Sequence, residues 1–164
     1  PGRGIHRLSV PPGYDEEAAL SIHEEFERLA VELTRRDPGD CPKDKLADSV
    51  REYDVLKRLV RGIVSVRSEK PGLLNQEDLQ AVMEGALCLP PGTVVEHLAL
   101  VLRHLNEEPP EETARLPRVM AVGDFLGDKT VLDNIEAGGL IVAEDDSCLG
   151  RRQFDMSYSA DSAG

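Results

Sequence analysis

Four proline-bearing breaks, Pro38-Gly39, Pro71-Gly72, Pro90-Pro91-Gly92 and Pro109-Pro110, cut residues 15–110 into separate stretches. Proline lacks the amide proton that a helix interior needs, and its ring clashes with the preceding turn. No helix can run through these points. Between them the apolar residues recur at helical spacing, which confines the segment to four helices joined by short connections. The pattern predicts a mainly α, four-helix bundle-like domain over 15–116, with an extended arm at 1–14 ahead of it.

The first stripe is Ala19, Ile22, Phe26, Leu29, Ala30 and Leu33. Asp15, Glu16 and Glu17 stand at its start and Arg35 and Arg36 at its end, matching the helix dipole at both ends. The second helix starts near Pro42 and carries Leu46, Val50, Tyr53, Leu56, Val60 and Ile63. Its end, Ile63-Val64-Ser65-Val66, is β-branched and suits either a helix or a short strand. Asn75 caps a third helix, with Asp78 three residues on. Thr93 and Glu96 form a capping box for the fourth, whose apolar middle, Leu98–Leu102, places it centrally. The expected core is one cluster that draws on Phe26, Leu33, Tyr53, Val60, Leu98 and Leu102, with Ile22, Leu29, Val50, Val82 and Leu105 beside them.

After Pro117 the character changes. Residues 118–122 and 140–143 are short apolar runs beside glycines, of strand length, and Val131, Leu132 and Ile135 space out a short helix between them. A small α/β element is expected over 117–146. The Ser-, Asp- and Gly-rich stretch 147–164 reads as a flexible tail. Both ends hold too few apolar residues to offset the entropy of ordering, about 1–2 kcal/mol per residue of backbone. Ile5, Leu8 and Val10 in the arm, and Phe154, Met156 and Tyr158 in the tail, are therefore expected to anchor on a protein partner or a second copy.

Composition excludes several functions. The 164 residues carry 19 Lys+Arg against 31 Asp+Glu, a net charge of −12. A surface this acidic repels phosphate backbones, so direct nucleic-acid binding is not expected. No run approaches the roughly 20 apolar residues that span a bilayer, so membrane insertion is not expected either. Cys41, Cys88 and Cys148 are odd in number and widely spaced, neither a disulfide framework nor a zinc pattern. Cys88, within Ala86-Leu87-Cys88-Leu89, reads as a small buried hydrophobe, and reduced thiols imply a soluble, intracellular protein. Because the first residue is Pro1, the chain reads as an excised piece or a processed product.

The stretch Gly123-Asp124-Phe125-Leu126-Gly127-Asp128-Lys129-Thr130 is the most suggestive motif. It fails as a phosphate loop, because Asp128 separates Gly127 from Lys129 and the first gap is one residue short. As G-D-x-x-x-D after an apolar run it resembles the last acidic motif of the haloacid-dehalogenase-like phosphatases. That resemblance implies a Mg²⁺-dependent phosphohydrolase in which Asp124 and Asp128 help bind the ion through hard carboxylate oxygens. The same family takes its nucleophile from an upstream D-x-D strand, and this chain has no D-x-D. His97 and His104 share a helix face but stand about 10–11 Å apart, too far to share one metal ion. No G-x-S-x-G occurs.

No catalytic, cofactor or metal residue is thereby assigned. The expected function is that of a non-enzymatic helical subunit or adaptor, mediating protein–protein association in a larger assembly. The alternative is the phosphohydrolase-like enzyme built on Gly123-Asp124 and Asp128.

Overall fold

A computed structural model describes residues 7–13, 15–35, 43–109, 116–123, 129–146 and 150–155. Among these, the chain forms α1 (Glu16–Thr34), α2 (Lys43–Glu69), α3 (Gln76–Cys88), α4 (Pro91–Glu107), β1 (Arg118–Val122), α5 (Lys129–Ala137), β2 (Ile141–Asp146) and α6 (Arg152–Asp155). This is the mainly α architecture with a small C-terminal α/β element that the breaks and periodicities predict. The chain divides into two compact units, Pro1–Leu46 and Ala47–Gly164. No helix among the described residues is long and apolar enough to cross a membrane.

The first unit is α1 with its arm. Asp15 caps the helix, its carboxylate accepting from the Ala18 amide at 2.9 Å. At the other end Arg35 turns left-handed (φ 55°) and its N–H returns to the Val31 carbonyl at 2.7 Å. The arm is tied down by two side chains of α1. Arg28 donates to the Arg7 carbonyl at 2.7 Å while gripping Glu25 at 2.6 Å and Glu32 at 2.7 Å. Glu25 in turn accepts from the Ser9 amide at 3.3 Å. The bond from Arg28, followed by that from Ser9, lowers the pKa of Glu25 below the usual carboxylate range. Leu8 and Val10 stay exposed on this arm.

The apolar stripe of α1 is exposed or half-buried. Phe26 and Leu33 are exposed, Ile22 and Leu29 are half-buried, and only Ala18 of this helix is buried. Among the described residues of this unit, α1, its arm and the first residues of α2 offer no second apolar layer, so amphipathic spacing alone does not bring burial.

The core belongs to the second unit. Val60, Leu98 and Leu105 are buried in it as expected, with Val82 and Leu102 packed against it, whereas Tyr53 is exposed. The β-branched end of α2 is helical, with Ile63, Val64 and Val66 all buried, so tertiary burial overrides the local strand preference. Gly62 lets the Leu102 side chain close in, since a Cβ there would stand 2.9 Å from Leu102 Cδ2. Asn75 caps α3 as predicted, accepting from the Asp78 amide at 2.7 Å.

Two local expectations are corrected. The fourth helix begins at Pro91 rather than after Thr93, with Pro90 as N-cap and no side-chain cap bond. Proline fits the first helical position because its missing N–H would be unpaired there anyway. Cys88 is exposed, because Leu79, Met83 and Ala86 carry the inward face of α3 and leave its last residue outside.

The carboxyl end of α4 is held by a lysine from the α2–α3 connection. Lys70 Nζ donates to the carbonyls of Leu105 at 3.2 Å, Asn106 at 3.2 Å and Glu108 at 2.7 Å. These are carbonyls that a helix end leaves without intrahelical partners, and a cation there also meets the negative end of the dipole. Lys70→Met is expected to cost about 1–2 kcal/mol. Urea denaturation should show the midpoint lowered at unchanged slope.

Strands β1 and β2 pair in parallel through the α5 crossover, a βαβ unit. The register runs Arg118↔Ile141 and Val119↔Val142, then slips to Met120↔Glu144, which leaves Ala143 as a bulge. Leu132 of α5 and Ile141 and Val142 of β2 are buried.

The last described segment departs from expectation. Phe154, read as a tail anchor for a neighbour, is 2% exposed and sits in this chain's own core cluster on α6. On α6 the ring is covered by apolar surface of its own chain. Ile5, Met156 and Tyr158 lie outside the described residues.

Candidate functional site at the carboxyl end of the parallel strands

Strand β2 ends in Glu144-Asp145-Asp146, and the chain returns to it immediately. The Arg151 amide donates to the Asp145 carbonyl at 3.2 Å. Gly150 makes this approach possible, because a Cβ there would collide with the backbone of Asp145. The return places two arginines over the acidic strand end. Arg151 holds both oxygens of Glu144 at 3.0 and 3.1 Å and reaches Asp155 at 3.2 Å. Arg152 takes both oxygens of Asp146, one of them at 2.8 Å. The bond to Asp155, then that to Glu144, raises the pKa of the Arg151 guanidinium further. The pair Arg151-Arg152 is thus engaged in ion pairs.

Beneath this surface lies a buried polar cluster that joins helices to the βαβ unit. Arg67, near the end of α2, is 2% exposed. It donates to the Leu74 carbonyl at 3.0 Å, to the Val142 carbonyl in β2, and to Glu136 of α5 at 2.6 Å. Burial pushes the Arg67 pKa down, and the Glu136 carboxylate opposes that shift. The other Glu136 oxygen accepts from the Gln76 amide at 2.9 Å, so one carboxylate serves the arginine and the first turn of α3 together. A second tie runs from Arg118 in β1 to the Ser68 carbonyl at 2.7 Å and its hydroxyl at 3.1 Å.

The structure does not gather the remaining sequence candidates. Asp124 and Asp128 lie outside the described residues, as do Cys41 and Cys148. His97 bonds its own helix at Thr93 O (3.1 Å), and His23 and His104 sit exposed beside Glu27 and Glu108. Among the described residues no group of three or more His, Cys, Asp or Glu is arranged to hold a metal ion. Sequence reasoning missed Arg67, Gln76 and Glu136. The one signal was a charged residue directly after the apolar run Ile63–Val66, where a solvated side chain is out of place.

A helical layer carrying a βαβ unit, with polar groups collected at the strand carboxyl ends, is the arrangement by which α/β proteins present ligand sites. The chain belongs to the family of the 2-hydroxyglutaryl-CoA dehydratase D-component, whose family model matches residues 3–163. It is also similar to a subunit of the benzoyl-CoA reductase of Thauera aromatica, 24% identical over 157 residues, covering 93% of this chain and 40% of that protein. The chain thus spans well under half the length of this curated relative.

The family overturns the expected function. A chain matched over nearly its whole length to an enzyme component is not a plain adaptor, and the family is named for a CoA-thioester dehydratase rather than a phosphohydrolase. The misreading has a definite origin. The adaptor reading followed from finding no catalytic motif in the sequence, whereas the family match extends over residues 3–163.

Proposed function

We propose that this chain forms part of an enzyme component that acts on acyl groups carried as coenzyme A thioesters, and that it works within an assembly of several proteins. The observation that supports this is the family match across residues 3–163. The two named proteins differ in reaction, dehydratase against reductase, and in acyl group, 2-hydroxyglutaryl against benzoyl. They share the thioester carrier. Both are also named as parts of something larger, one as a component and the other as a subunit. A thioester carbonyl draws electron density from its acyl group, which suits that group either to lose water or to accept electrons. The shared carrier is therefore a better guide to this chain than either acyl group.

The test uses the full-length protein, tagged in its native host and purified with whatever proteins accompany it. The assembly is incubated with a 2-hydroxyacyl-CoA, or with an aroyl-CoA and a low-potential reductant, and the products are read by mass spectrometry. The expected result is loss of one water from the first thioester, or gain of two electrons and two protons by the second. The free acids should remain unchanged. An assembly that neither binds nor alters either thioester would sink the reading.

A further inference from the structure

Gln76, the first residue of α3, is 1% exposed, and neither its side-chain oxygen nor its side-chain nitrogen has a hydrogen-bond partner among the described residues. Its backbone amide is satisfied by Glu136, so the helix start is not what leaves the side chain unpaired. An amide so deeply buried loses its hydration and gains nothing in return unless something else meets it.

A small cavity adjoins this side chain, lined by Arg67, Gln76, Val142, Ala143, Asp145 and Arg151 among others. It offers about 10 Å³ to the centre of a water molecule. One water needs roughly 10–15 Å³ by that measure. Organic ligands occupy sites on the order of 300–1,000 Å³, so the size excludes them. Val64, Leu79 and Met83 make much of the wall apolar, but Gln76 and Arg67 supply the two to four partners that a water takes. Gln76 supplies an acceptor and two donors. Three of the five guanidinium N–H groups of Arg67 are accounted for by Leu74, Val142 and Glu136, which leaves the group further donor capacity.

We infer that Gln76 holds one internal water molecule, hydrogen-bonded to its side-chain amide in the cavity between Arg67 and the carboxyl end of β2. The water completes the polar cluster by tying the first turn of α3 to the strand end, alongside the Glu136 bridge. Gln76 is then a positioning residue for the junction under the candidate site. The inference rests on packing alone and stands apart from the proposed substrate class.

A crystal structure of the full chain, at a resolution that shows ordered solvent, tests it directly. One water is expected within hydrogen-bond distance of Gln76 Oε1 or Nε2. An empty cavity, or an amide bonded to another side chain instead, would overturn the inference. The near-isosteric Gln76→Met variant provides a second reading. With a water present, the substitution strips it of its amide partner, and Tm should fall. If the amide is merely orphaned, removing it relieves a buried polar group, so an unchanged or raised Tm counts against the water.

Discussion

Glu136→Ala is expected to lower the stability of the folded chain by about 3–5 kcal/mol, the cost of removing one partner from a buried ion pair. The magnitude follows from what is left behind. Arg67 is almost fully buried, and burial already works against its charge, while Glu136 is the carboxylate that opposes this. Without it the guanidinium keeps its two carbonyl partners and only the weaker attraction of the Asp145 carboxylate. The Gln76 amide loses its acceptor in the same step. Glu136→Gln should cost less, since it keeps an acceptor for one of these donors. The pairing is also separable from its net worth. Replacing both charged residues, Arg67→Met with Glu136→Leu, should recover much of the loss, because a well-packed apolar pair spares the desolvation of two charges. Chemical denaturation of the single and double variants gives the coupling directly. A Glu136→Ala cost below about 1 kcal/mol would mean that the pair behaves like a solvated surface bridge.

This junction also marks where the sequence ceased to be legible. The helices were readable because each is bounded by proline or by a capping residue and carries a period that only a helix explains. Asn75 caps the helix it was expected to cap, and Asp15, expected only as one of three acidic residues matching the dipole, proves to be the cap of α1. The short strands were readable from apolar runs too brief for helices. Burial was harder. The spacing of Ile22, Phe26, Leu29 and Leu33 shows that α1 has an apolar face, but amphipathicity does not say what, if anything, within the unit lies against that face. The polar cluster was invisible for another reason. Arg67 and Glu136 are 69 residues apart and meet only because α5 crosses between two parallel strands. No local spacing encodes such a contact. Gly150 is similar, since its need to be glycine arises from a backbone that approaches only once β2 and α6 are in place.

The fate of Phe154 makes the second large prediction. Phe154→Ala is expected to cost about 3–5 kcal/mol, the range for emptying a buried aromatic site. The ring is 2% exposed and belongs to the same cluster as Val60 and Leu98. A four-residue helix such as α6 cannot persist on its own hydrogen bonds, because helix nucleation is unfavourable at that length. Its stability must come from the ring, from the ion pairs of Arg151 with Glu144 and Asp155 and of Arg152 with Asp146, and from Arg61, which donates to the Asp155 carbonyl at 3.3 Å. Those pairs are largely exposed and worth little individually. The ring therefore holds α6, and α6 in turn holds the return of Arg151 onto the end of β2. Thermal or urea unfolding of Phe154→Ala should show the full loss, and hydrogen exchange should show the strand-end amides of β2 losing protection with it. Were the ring only an anchor for a neighbouring protein, the isolated chain would unfold at the same midpoint with or without it. A loss of stability in the monomer would instead place the fastening of the strand-end site inside this chain.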